Sequence, residues 1–100
     1  MTKAAEIVTF RLKPEATPDA FRAAMDTMQP FVDRHGGVIS RTLSCDDTGL
    51  WTDHILWESL EAAQSLAAQF MEAPETQAAR DLIDGPTVEM RHAMVHMQKG

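Results

Sequence analysis

One hundred residues suffice for one domain with a modest core, since a chain this short buries only about two thirds of its unfolded surface. Its 44% hydrophobic and 24% charged content is that of a globular protein. The net charge of −6, with nine Lys and Arg scattered through the chain, argues against nucleic acid and anionic membranes as partners. No run approaches the roughly 18 apolar residues that a bilayer span needs. The opening Met1-Thr2-Lys3-Ala4-Ala5 leads into a strand pattern with no apolar leader core. The single Cys45 can form no internal disulfide. Both features fit a reducing cytoplasm.

Glu6 to Lys13 alternates, with Val8, Phe10 and Leu12 on one face and Ile7, Thr9 and Arg11 on the other, so a first strand ends at Pro14. Thr17-Pro18-Asp19 starts a helix: a capping hydroxyl, proline at the first position, an acid in the first turn. Phe21, Ala24, Met25, Met28, Phe31 and Val32 recur at helical spacing. Pro30 lies inside that stripe and predicts a kink or two helical pieces. Gly36-Gly37 ends the helix, with Arg34 and His35 suiting its negative end.

Val38 to Cys45 reads as a second strand, Ile39 and Leu43 facing one way and Ser40, Thr42 and Ser44 the other, as an edge strand tolerates. Asp46-Asp47-Thr48-Gly49 is a hairpin turn. The third strand runs to Trp57 and carries both tryptophans, with Asp53 and Trp57 on one face. Ser59 caps a second helix whose stripe is Leu60, Ala63, Leu66, Ala67, Phe70 and Met71. Pro74-Glu75 starts a third helical piece with Ala78, Ala79, Leu82 and Ile83 inward, and Asp84-Gly85-Pro86 stops it. Val88 to Met97 is the last strand.

Strand, helix, strand, strand, helix, strand predicts a single α+β domain over residues 1–100, a ferredoxin-like antiparallel sheet with helices on one face. Two helices cover only one side. The third strand (Ile55 and Trp57 against Leu50 and Leu56) and the fourth (Val88, Met90 and Met94 against Ala93, Val95 and Met97) read as apolar on both. A second copy packed sheet to sheet would cover the other side, so the expectation is a homodimer.

The phrase Ile7-Val8-Thr9-Phe10-Arg11-Leu12-Lys13-Pro14 resembles the first strand of the dimeric α/β-barrel proteins. Trp57-Glu58-Ser59-Leu60-Glu61-Ala62-Ala63 resembles the strand-to-helix junction of their antibiotic-biosynthesis-monooxygenase-like branch. Ile83-Asp84 followed by Val88-Glu89-Met90-Arg91-His92 is similar to the closing segment of small bacterial members. The resemblance spans Glu6 to Met97 and implies the dimeric ferredoxin-like fold. It also implies a cleft between sheet and helices where phenol-oxidising members place an amide and a tryptophan on the third strand. Asp53 stands at the amide-like position and Trp57 at the tryptophan. The early-helix aromatic hydroxyl of those members is missing, since Ala62 and Ala63 stand there and the chain has no Tyr. Haem-degrading members use a histidine of the second helix and an asparagine of the first strand. That helix has no His and the chain no Asn, which argues against haem chemistry.

Cofactor-free oxygenation draws its electrons from the substrate and asks of the protein a base and a dry pocket. The expected function is therefore monooxygenase-like binding of a small aromatic or quinol-type molecule without metal or flavin. Asp53 is the candidate base, with His92 as a second catalytic candidate. Trp57, Ile55, Phe10, His96 and Arg91 are candidates to line the cleft, Trp57 as a flat aromatic wall. The alternative is a non-catalytic dimeric binding or structural module. His92 and His96 share a strand face about 13 Å apart along the backbone, too far for one metal about 2 Å from each ligand. His54 faces away from Trp57, toward the expected sheet–sheet contact, where its titration would tune dimer stability. Arg11 and Arg91 could bind an anion together, or pair with Glu89 and Glu6 at the surface.

Overall fold

The computed structural model describes residues 2–100. Period-two alternation takes β1 (Ala4–Leu12) through the middle of a four-stranded antiparallel sheet of order β2-β3-β1-β4, with β2 (Val38–Cys45), β3 (Trp51–Trp57) and β4 (Ile83–Met94). The helices, α1 (Pro18–His35), α2 (Leu60–Phe70) and the short α3 (Gln77–Leu82), are joined to the sheet by the expected connections. A 3₁₀ turn over Pro74–Thr76 precedes α3.

Register assigns the faces. Ala4 pairs with Trp57, Glu6 with Ile55, Val8 with Asp53 and Phe10 with Trp51. On the other side of β1, Glu6 pairs with His92 and Val8 with Met90. All of these side chains stand on one face of the sheet, and Trp51, Asp53, Ile55 and Trp57 of β3 are buried there. The core divides around two aromatic centres. Trp57 packs with Met28, Phe31, Val32, Ala63 and Leu66. Phe10, Phe21 and Trp51 form a trio with centroids 5.1–6.4 Å apart.

The caps are those predicted: the Thr17 hydroxyl accepts from Ala20 N–H at 3.1 Å, and the Ser59 hydroxyl from Ala62 N–H at 3.1 Å. Pro30 does not divide α1, which is a single helix of 18 residues. Pro30 is on the exposed side, where water can take the Asp26 carbonyl that proline leaves free. Gly37, at φ +94°, turns the chain into β2. A Cβ there would lie 2.9 Å from the Ala62 Cβ, so the turn and α2 meet at a distance only glycine allows.

Three local expectations are corrected. Ile39 and Leu43 do not share a face: the β2–β3 register shifts between Val38 and Ser40, so Ile39 is the extra residue of a bulge and lies exposed. Arg41 and Leu43 then face the helices. The last strand begins at Ile83 and ends at Met94, so Asp84-Gly85-Pro86 is inside it. Opposite the register shift between Thr9 and Arg11, the Thr87 hydroxyl accepts from Arg11 N–H at 2.9 Å and donates to the Asp84 carbonyl at 2.6 Å, so Pro86 has no ladder bond to break. Ala78 is exposed, and Ala79 is the buried member of α3.

The outer face of the sheet is less apolar than expected. It carries Thr9, Thr42, Thr52, His54, Glu89 and Arg91 around Ala5, Ile7, Leu56 and Ala93. Val88, Met90 and Met94, the exposed apolar residues of β4, are on the helix side, beyond the reach of the helices.

Candidate functional site

A cavity of about 280 Å³ opens between the helix-facing side of the sheet and the helices. Phe21, Met25, Met28 and Val32 of α1 and Leu66 and Phe70 of α2 make the apolar wall, and strand residues make the floor. Met71, Val88 and Met90 are lining residues that are also exposed, which places the mouth between the end of α2 and β4.

The polar part of the floor consists of two side-chain pairs. Asp53 is 7% exposed, and Arg41 takes both its oxygens in a fork, Nε donating to Oδ1 at 3.0 Å and Nη2 to Oδ2 at 2.7 Å. Glu6 is 4% exposed, and its Oε2 lies 2.7 Å from His92 Nε2. With Glu6 as a carboxylate, which can only accept, the donor is the Nε2–H tautomer of His92. Glu6 Oε1 has no hydrogen bond among the described residues. The two carboxylates are diagonal neighbours across β1 and β3, the roughly 7–8 Å spacing of such positions. At the end of β3, Trp57 is fully buried in the cavity wall. His35 meets its ring edge-on at 5.9 Å. The indole Nε1–H of Trp57 is the one buried side-chain polar atom among the described residues with no partner. A buried donor of this kind is costly to leave unmade.

Of the candidate residues, Asp53, Trp57, Ile55 and Phe10 all line the cavity. His92 stands behind Glu6 as its hydrogen-bond partner. His96 does not join them, because β4 ends before it and it is exposed. Arg91 pairs in register with Ile7, which puts it on the outer face, exposed and away from the cavity. Arg11 is committed elsewhere: its Nη1 donates to the Thr48 carbonyl at 2.7 Å. Neither arginine pairs with Glu6, which is turned inward. His54 is exposed on the outer face, between Ile7 and Thr42.

Sequence reasoning missed Glu6 and Arg41 as floor residues. Glu6 had a signal, because it shares the parity of Val8 and Phe10. Arg41 had one too: it shares the parity of Leu43, opposite Ser40, Thr42 and Ser44, and the bulge at Ile39 lies before both.

No protein-family model matches the chain, and the curated proteins contain no match. Solved structures do match. SnoaB, a cofactor-independent oxygenase from Streptomyces nogalater, is 17% identical at a TM-score of 0.69, over 100% of this chain and 97% of that one. A proposed antibiotic biosynthesis monooxygenase from Bordetella bronchiseptica is 16% identical at a TM-score of 0.75, over 97% and 100%. A Mycobacterium tuberculosis protein is 20% identical at 0.70, over 98% and 99%. The matches cover 97–100% of this chain, and they agree with its element order. The chain has the ferredoxin-like β-α-β-β-α-β fold of the antibiotic-biosynthesis-monooxygenase-like proteins.

Proposed function

We propose that this protein is a monooxygenase-like, cofactor-independent protein that takes a small aromatic or quinol-type molecule into the cavity. The observation that carries this reading is a cavity with apolar walls whose floor presents the buried carboxylates of Glu6 and Asp53. A flat ring would fill the space between Ile55, Phe10 and the methionines, with its hydroxyl toward that floor. The volume is at the small end of the roughly 300–1,000 Å³ of small-molecule sites, which restricts the ligand to a few fused rings. In the reaction a phenol and O₂ give a quinone and water, the substrate supplying the electrons. The protein contributes a base, one of the floor carboxylates Asp53 and Glu6, and exclusion of water.

The fold shared with SnoaB supports this reading. A second reading, a non-catalytic binding module, is favoured by one observation: both oxygens of Asp53 are held by Arg41, so Asp53 is not a free base. The working unit we propose is a homodimer joined through the outer sheet faces, where Ile7, Leu56, Ala5 and Ala93 form a central apolar patch.

Fluorescence titration with a panel of hydroxyquinones and phenols, with oxygen uptake followed in parallel, tests the proposal. Quenching with oxygen consumption is expected for at least one of them. Trp57→Ala, with Trp51 left as reporter, should weaken binding about tenfold, as loss of an aromatic wall worth about 0.5–1.5 kcal/mol does. Quenching without oxygen uptake would select the binding module, and no quenching by the whole panel would refute both.

A further inference from the structure

The cavity floor keeps one carboxylate oxygen free of any hydrogen bond among the described residues: Glu6 Oε1, because Oε2 alone is taken by His92. Asp53 offers no comparable atom, since Arg41 engages each of its oxygens. No charged side chain comes from the helix wall: Arg41, Asp53 and Glu6 are the charged lining residues, and all three rise from strands.

We infer that Glu6 is the carboxylate that reads the ligand. The chemical class it selects is an aromatic carrying a free hydroxyl, donated to Oε1. This rests on the binding reading above and narrows it to ligands that present that hydroxyl, and not its ether, to the floor at Glu6. An ionising hydroxyl passes its proton to Glu6 Oε1, leaving a neutral carboxyl group and the negative charge on the ring oxygen. His92 is a positioning residue: its Nε2–H fixes Oε2 and so turns Oε1 into the cavity. Burial makes the choice selective, since a ligand with nothing to donate leaves a desolvated carboxylate oxygen unpaired.

The test pairs 6-hydroxy-1-tetralone with 6-methoxy-1-tetralone, which differ only in the donor, and reads both dissociation constants by tryptophan quenching. Wild type should prefer the hydroxyl compound about tenfold or more, as expected for a hydrogen bond to a charged acceptor. In Glu6→Leu the preference should fall below about twofold. Should that variant fail to fold by circular dichroism, Glu6→Gln keeps the volume and should lower the preference at least threefold. His92→Leu should also reduce it, with the methoxy compound bound as before. His92→Gln should restore it, because an amide N–H still donates to Oε2. An undiminished preference without the Glu6 carboxylate would overturn this inference and leave the binding reading standing. If neither tetralone quenches wild type while other phenols do, the same comparison is read on one of those phenols and its methyl ether, and equal affinities there would overturn the inference. If no phenol quenches, the parent reading fails first.

Discussion

Asp53 and Arg41 show how much a single partner changes the chemistry of a side chain. A lone aspartate beside Ile55 and Trp57 would be a base in an apolar cleft, whereas the forked guanidinium at 2.7–3.0 Å makes it half of a buried ion pair. Such pairs contribute little net stability when whole and cost much when halved. Arg41→Ala should therefore destabilise the fold by about 3 kcal/mol, read from the urea midpoint. The double replacement Arg41→Met with Asp53→Leu should recover most of that loss. Equal losses in the single and double variants would show that the cost comes from packing and not from the stranded charge. The inner face of Arg41 was legible from the parity of Leu43, but its pairing with Asp53 was not, since that needs the β2–β3 register. Trp57, Ile55, Phe10 and Asp53 were legible, because period two within an uninterrupted strand fixes the face of every residue.

Element boundaries were legible where a capping side chain sets them. Thr17 and Ser59 accept the helix amides that their positions imply. Legibility failed where a proline sits at a place that tolerates it: Pro30 on the solvent side of α1 and Pro86 in the irregular start of β4. Breaker chemistry reports a missing N–H, not whether that N–H was needed.

The β2–β3 hairpin depends on one carboxylate oxygen. Asp46 Oδ1 accepts from Thr48 N–H, the Thr48 hydroxyl and Leu50 N–H at 2.6–3.0 Å. The Thr48 hydroxyl first, then the Leu50 amide, hold this carboxyl below its ordinary value of 3.8. Glu75, at the 3₁₀ turn, is likewise held below 4.5 by its own backbone amide and by Arg34. A depressed carboxyl contributes stability that is complete above its unfolded value and is lost as pH falls through the folded one. Wild type should accordingly lose stability as pH drops below about 4. Asp46→Asn should flatten that dependence while lowering the plateau near neutrality. An unchanged acid limb in Asp46→Asn would remove the hairpin from the account.

For the whole molecule, strand order and helix placement followed from the element sequence, since hairpin and crossover rules leave few alternatives. The distribution of apolar surface did not, because it depends on which parity of β4 faces the helices. The exposed apolar residues of β4, Val88, Met90 and Met94, belong to the cavity side, and the outer face is mixed. The proposed dimer therefore rests on a small patch and should be sensitive to it. Sedimentation at micromolar concentration should give twice the 11.1 kDa chain mass, and Ile7→Glu should give a single chain with unchanged circular dichroism. A wild-type mass of one chain would refute the pairing.

Both outermost strands carry an interruption, the extra residue at Ile39 on β2 and the Asp84–Thr87 irregularity on β4. Each border therefore offers only a shortened straight row of free amides and carbonyls to a further strand. Both interruptions work against lateral, open-ended growth toward fibrils.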